Sequence, residues 1–271
     1  MIWCAEVIEG ELVRLENGRS RHEVAEHLLE LAADDPQLVV GLDFSFSLPA
    51  WFLRERGYTS VDELWRAAAT DGDGWIRSGE APFWGRAGSR RPELPAHFRV
   101  TEEQISSVGG IRPKSTFQVS GAGSVGAGSV RGFPVLQRLR AGGFTVWPFD
   151  AADPPVVVEV WPRMMSGPVV KSRADARARH LAAYAPTMRT DLRDLAIESD
   201  DAFDAAVTAL AMAPSAASIA RLPRATGAAT LLEGQVWSPD PTDQASAASS
   251  RAIDTSTSPG SSCTTSGAST T

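Results

Sequence analysis

Short apolar runs punctuated by Gly, Pro and Asp alternate with stretches of helical periodicity along this chain, the pattern of an α/β protein. Residues 2–8 and 11–15 predict two strands joined by a turn at Glu9-Gly10. Ser20 is placed to cap a helix over residues 22–33, with Val24, Leu28 and Leu31 on one side. The run Leu38-Val39-Val40-Gly41-Leu42 is apolar throughout, as in a strand buried on both faces, and it closes on Asp43. Helices are predicted over residues 48–56 and 61–69, then a loop-rich stretch over 71–99. Glycines over 121–132 predict a flexible loop, followed by a helix over 133–140 that Gly142-Gly143 ends. Strands are predicted over 144–149 and 156–161, helices over 172–183 and 200–212, and a terminal strand over 230–237.

The order of elements predicts one mixed sheet covered by helices. From Ser238 onward large apolar residues are almost missing. Residues 1–237 are therefore expected to form the domain and 238–271 a disordered tail without chemistry.

Composition narrows the class. With 271 residues, 43% apolar and 22% charged, the chain can bury a core. Its longest apolar stretch, 205–213, is too short to span a bilayer, and no secretory pattern opens the chain. Cys4 and Cys263 offer neither a disulfide framework nor a zinc cluster. A cytoplasmic, soluble protein with no membrane partner is the expectation. Net charge is −7, but residues 84–140 carry nine Lys/Arg against three Glu, which leaves −13 for the rest. A basic, Gly-rich insertion on an acidic body suits an anionic partner meeting one face.

Three carboxylates call for chemistry. Asp43 ends an apolar strand at the edge where open α/β sheets bind ligands, though a cap or turn would also explain it. Glu159 interrupts Val156-Val157-Val158-Glu159-Val160, where a buried carboxylate needs a metal or a salt bridge, for example to Arg163 or Lys171. Asp200 and Asp201 suit the first turn of a helix capped by Ser199. Asp204 lies a turn further in, on the face of Asp201, and is either a ligand or part of a solvated face. Convergence of these oxygens would suit Mg²⁺ or Mn²⁺, and two such ions support phosphodiester cleavage.

The segments Val40-Gly41-Leu42-Asp43-Phe44-Ser45-Phe46-Ser47-Leu48-Pro49, Val158-Glu159-Val160-Trp161-Pro162-Arg163 and Ser199-Asp200-Asp201-Ala202-Phe203-Asp204-Ala205 resemble an uncharacterised RNase H-like family of predicted nucleases. The resemblance spans roughly residues 1–237. It implies an RNase H-like fold and a nucleic-acid substrate. It also places Asp43, Glu159 and Asp204, with Asp201 in support, at the acidic catalytic and metal positions. The Asp201/Asp204 pair is similar to the last acidic helix of RuvC-type resolvases. The chain departs in one respect: that fold carries its first metal-binding Asp on a strand ahead of a hairpin, and here the chain opens at the hairpin.

Weaker signals remain. Gly121-Ala122-Gly123-Ser124-Val125-Gly126 matches G-x-G-x-x-G, but Gly128 and Gly132 are expected to break the helix that a dinucleotide site needs. Lys114, Ser115 and Arg131 around that loop are the candidates for phosphate contacts. Trp51, Trp65, Trp75 and Trp84 serve either stacking on bases or the core. Four histidines show no metal spacing, and Ser47 lacks the nucleophile elbow of serine hydrolases. The expected function is a metal-dependent nuclease. The alternatives are a non-catalytic nucleic-acid or nucleotide-binding module and an ATP-using kinase-like relative of the same fold.

Overall fold

The computed structural model describes residues 2–87 and 90–240; the predicted tail beyond Asp240 lies outside them. Strands β1 (Ile2–Ile8) and β2 (Glu11–Arg19) form an antiparallel hairpin. Glu9 and Gly10 both take positive φ, 53° and 83°, as a two-residue hairpin turn of the primed type requires. Helix α1 (Arg21–Asp34) starts in a capping box, in which Glu23 N donates to the Ser20 hydroxyl and Ser20 N to the Glu23 carboxylate.

A second sheet holds three parallel strands, with β5 (Val156–Glu159) between β3 (Val39–Leu42) and β4 (Thr145–Val146). The chain is thus a mixed α/β protein whose strands fall into two small sheets. Strand β4 is shorter than expected because the chain turns away after Trp147, with Asp150 N donating back to the Val146 carbonyl.

The remaining helices are α2 (Ala50–Glu55), α3 (Val61–Ser78), α4 (Val100–Gln104), α5 (Gly126–Ala141), α6 (Pro162–Ser166), α7 (Ala174–Tyr184), α8 (Thr190–Glu198), α9 (Asp200–Met212), α10 (Ala216–Ile219) and α11 (Thr230–Glu233). The last replaces the predicted terminal strand, which survives only as a bridge between Val236 and Glu159.

Helix α5 corrects the reading of the glycine-rich segment. It begins at Gly126 and runs through Gly128 and Gly132. A Cβ at Gly126 would stand 2.4 Å from the Thr116 carbonyl oxygen, and one at Gly132 would stand 2.5 Å from the Phe44 ring. Glycine is used there for close packing, which outweighs its poor helix propensity. Gly72 similarly lets α3 approach Val130 and continue nine residues beyond its predicted end.

Two cores flank the parallel sheet. One, with Phe46, Phe52, Trp65, Phe117, Phe133 and Val157, lies under α2, α3 and α5. The other joins Val156 and Val158 to Leu181, Ala196 and Phe203 of α7, α8 and α9. The alternation of Val156, Val157 and Val158 between the cores is the period of two that a doubly covered strand shows. Asp200–Ile219 is apolar enough by composition for a membrane span, but over half of it is buried in this second core.

Candidate acidic cleft

The turn after β3 fixes the position of Asp43. Ser45 N donates to the Ser129 hydroxyl at 3.0 Å and Phe46 N to Glu159 Oε2 at 2.9 Å. Asp43 does not cap α2, whose N-terminal flank is Pro49, and it accepts no hydrogen bond among the described residues. Its side chain opens into a cleft of about 540 Å³ that Asp201 and Asp204 also line. Asp43 is exposed to the cleft, with protein packed closely on the other sides of its carboxyl. Desolvation, and then the charge of Asp204, push its pKa up to about 7.

Asp204 is not on a solvated face. Its side chain is only 16% exposed, and Oδ2 accepts a hydrogen bond from Lys171 Nζ. Oδ1 is buried without a partner. Burial raises the Asp204 pKa in spite of Lys171. Asp201, one turn earlier, is exposed at the rim, as its place in the first turn demands.

Glu159 has a different fate. Both oxygens receive the guanidinium of Arg99, with Nη1 at 2.8 Å from Oε2 and Nη2 on Oε1. Neither Arg163 nor Lys171 is its partner; Arg163 donates to the carbonyls of Gly167 and Val169. Arg99 is fully buried and also grips Glu102, its Nε 2.8 Å from Oε1. Burial alone would weaken that guanidinium charge, and Glu102 and Glu159 more than restore it. Glu233 extends the assembly, accepting from Ala50 N and Val100 N at 2.7 Å each. Sequence reading missed Arg99 and Glu233. The one available signal was an arginine followed three residues later by Glu102 at a helix start.

The phosphate candidates separate. Ser115 is buried; its hydroxyl donates to the His97 carbonyl and accepts from Phe117 N, so it fastens a loop and is not a phosphate contact. Arg131 pairs with Asp73 on the surface. Lys114 faces a cavity of about 240 Å³ that also holds Asp43, Ser124, Gly128 and Glu159. Asp43 therefore stands where the two cavities meet.

Four of the nine basic residues of the segment, Arg99, Arg131, Arg138 and Arg140, sit on carboxylates within the fold. The G-x-G-x-x-G run does open a helix at its third glycine, but Gly126 N is taken by the Gln118 carbonyl, and the preceding chain forms only a single bridge. The tryptophans serve packing. Trp65 is buried and donates to the Phe46 carbonyl, Trp51 donates to the Ala96 carbonyl, Trp75 stacks on Phe83, and Trp84 carries Arg91. Ser47 is buried against the Leu232 carbonyl.

The donor set of the cleft is carboxylate oxygen, the chemistry of Mg²⁺ and Mn²⁺. The unpartnered Asp204 Oδ1 and the raised Asp43 carboxyl leave charge that such a cation would satisfy. As placed, Lys171 stands in for that cation at Asp204, and no three His, Cys, Asp or Glu side chains among the described residues are gathered closely enough to hold an ion. The chain matches no protein-family model, no curated protein and no solved structure, so the reading of this cleft rests on its own geometry.

Proposed function

We propose that the protein is an RNase H-like, divalent-cation-dependent nuclease whose site is the Asp43 end of the cleft. One observation carries the reading: Asp43, at the carboxyl end of a parallel strand, has no hydrogen-bond partner among the described residues and shares its cleft with Asp201 and the half-satisfied Asp204. Asp43 and Asp204 would hold Mg²⁺ or Mn²⁺, with Asp201 at the rim, and the ion would have to displace Lys171 from Asp204. Such an ion, when bound, would supply the charge that activates water and stabilises a leaving phosphodiester oxygen.

The chain's own groups do the rest. Asp43, with its carboxyl near neutrality, becomes fully anionic only above pH 7. Glu159 positions the site, holding Phe46 N and thereby the turn that carries Asp43. Lys114 meets a substrate phosphate oxygen from the smaller cavity. Labelled DNA and RNA, single-stranded and branched, incubated with Mn²⁺ test this reading. Cleavage that Asp43→Asn and Asp204→Asn abolish supports it. Cleavage that survives both removes the site.

A second reading has its own support. Lys171 on Asp204 and Arg99 on Glu159 already give two of the acids a cation. A non-catalytic nucleic-acid-binding module of the same fold would show oligonucleotide binding indifferent to Mn²⁺ and no cleavage.

A further inference from the structure

The large cleft has the shape of a vacant strand position. Among the described residues, one wall is β1, which pairs only with β2, and the other is β3, which pairs only with β5. Both present unpaired backbone edges to the same space. Its floor is α9, through Ala205, Thr208 and Met212, from the second core. Its roof is α1 and α5, through Leu28 and Val135, from the first. A slot bounded by two strand edges and covered on both faces by helices is the environment of an inner strand.

Burial agrees with this. Strand β5 is buried along its whole length, yet Val39, Gly41 and Leu42 of β3 and Ile2–Val7 of β1 remain partly open. Thr208 lines the slot, 6% exposed, and its buried hydroxyl has no partner. Of six carboxylates in the lining, Glu6, Glu16 and Asp204 are paired to Arg14, Arg19 and Lys171, and Asp35, Asp43 and Asp201 give it its acidic character.

We propose that this cleft is a docking groove for a strand of a second polypeptide, an extended apolar segment flanked by Lys or Arg. Backbone pairing to β1 and β3 would join the two small sheets into one, the mode of β-strand addition. Helices on both faces select an apolar run over an alternating one. The acidic lining selects basic flanks, and Asp43 and Asp201 sit beside one end of the docked strand.

The probe is the peptide acetyl-Lys-Val-Ile-Val-Thr-Val-Arg-amide, added to the full chain while backbone hydrogen exchange is followed. Exchange at Cys4–Val7 and Val39–Leu42 should slow about tenfold or more, in a saturable way. A version with Glu in place of the basic flanks should bind about tenfold more weakly at low salt. A version with Pro at alternate positions, which cannot form the ladder, should not bind. Ala209→Leu, on the floor, should weaken the peptide without altering exchange elsewhere.

Several results overturn the proposal. They are no protection by the basic peptide, or equal protection by the proline version. Protection of both edges before peptide is added, lost on deletion of residues 241–271, would make the chain's own tail the occupant. Protection that grows with protein concentration would make it a second copy. Protection supplied by residues placed ahead of Met1 in a longer chain would make it part of the same polypeptide. Loss of cleavage activity has no bearing on these readouts, so failure of the nuclease reading is distinguishable.

Discussion

Lys171 donates to Asp204 Oδ2, and the other Asp204 oxygen has no partner. The pair is mostly buried, the two side chains being 18% and 16% exposed. An acid with one satisfied oxygen thus lies in a cleft that also holds Asp43 and Asp201.

Removing the lysine should therefore have two opposite effects. Lys171→Met leaves a buried carboxylate without its cation and should cost about 1–3 kcal/mol of stability, read from urea unfolding. The same change removes the competitor for Asp204, so Mn²⁺ should raise the melting temperature of the variant more than that of the parent. The double variant Lys171→Met/Asp204→Asn should be less destabilised than the sum of the singles.

Arg99 carries a larger load. Arg99→Met strands Glu102 and Glu159 in the core, and a loss of about 3–5 kcal/mol is expected in chemical denaturation. Arg99→Lys should recover only part of it, because a single ammonium cannot bridge two carboxylates through a planar fork.

The Asp43 carboxyl sets a pH dependence. Its folded pKa, about 7, lies above the ordinary 3.8. The folded protein therefore binds this proton more tightly than the unfolded chain. The contribution is fully present below about pH 4 and is lost as pH rises through about 7. Asp43→Asn should remove that slope, so the variant should match the parent in urea midpoint at pH 4 and exceed it at pH 8.

The glycines of α5 should respond by position. Gly132→Ala drives a methyl into the Phe44 ring and should destabilise by about 1–3 kcal/mol. Gly128 has open space around its Cβ direction, so Gly128→Ala should stabilise by about 0.5–1 kcal/mol through helix propensity. Thermal unfolding of both variants checks the contrast.

Those glycines also show where sequence reading stops. Local signals decided the elements that caps and turns define: Ser20 with Glu23, Ser199 before Asp200, and Glu9-Gly10 between two strands. Residues 121–132 were misread because glycine composition speaks for a loop, while the reason for each glycine is an atom far along the chain, Thr116 O or Phe44. Helix α8 went unread, its inward residues Leu192 and Ala196 giving a short stripe. Asp43 and Asp204 stand out in the sequence because one closes an apolar strand and the other lies inside an apolar helix; that they share a cleft with Asp201 is visible only in the fold. The partner of Glu159 could not be, since Arg99 lies 60 residues away in a segment whose charge looked free.

The most direct test of the account is a Mn²⁺ titration of the intact protein, following free ion by electron paramagnetic resonance at pH 6 and pH 8. A saturable site is expected that tightens at pH 8, weakens about tenfold or more in Asp43→Asn and in Asp204→Asn, and strengthens in Lys171→Met. No saturable binding at either pH, or binding unchanged in both Asn variants, would contradict it.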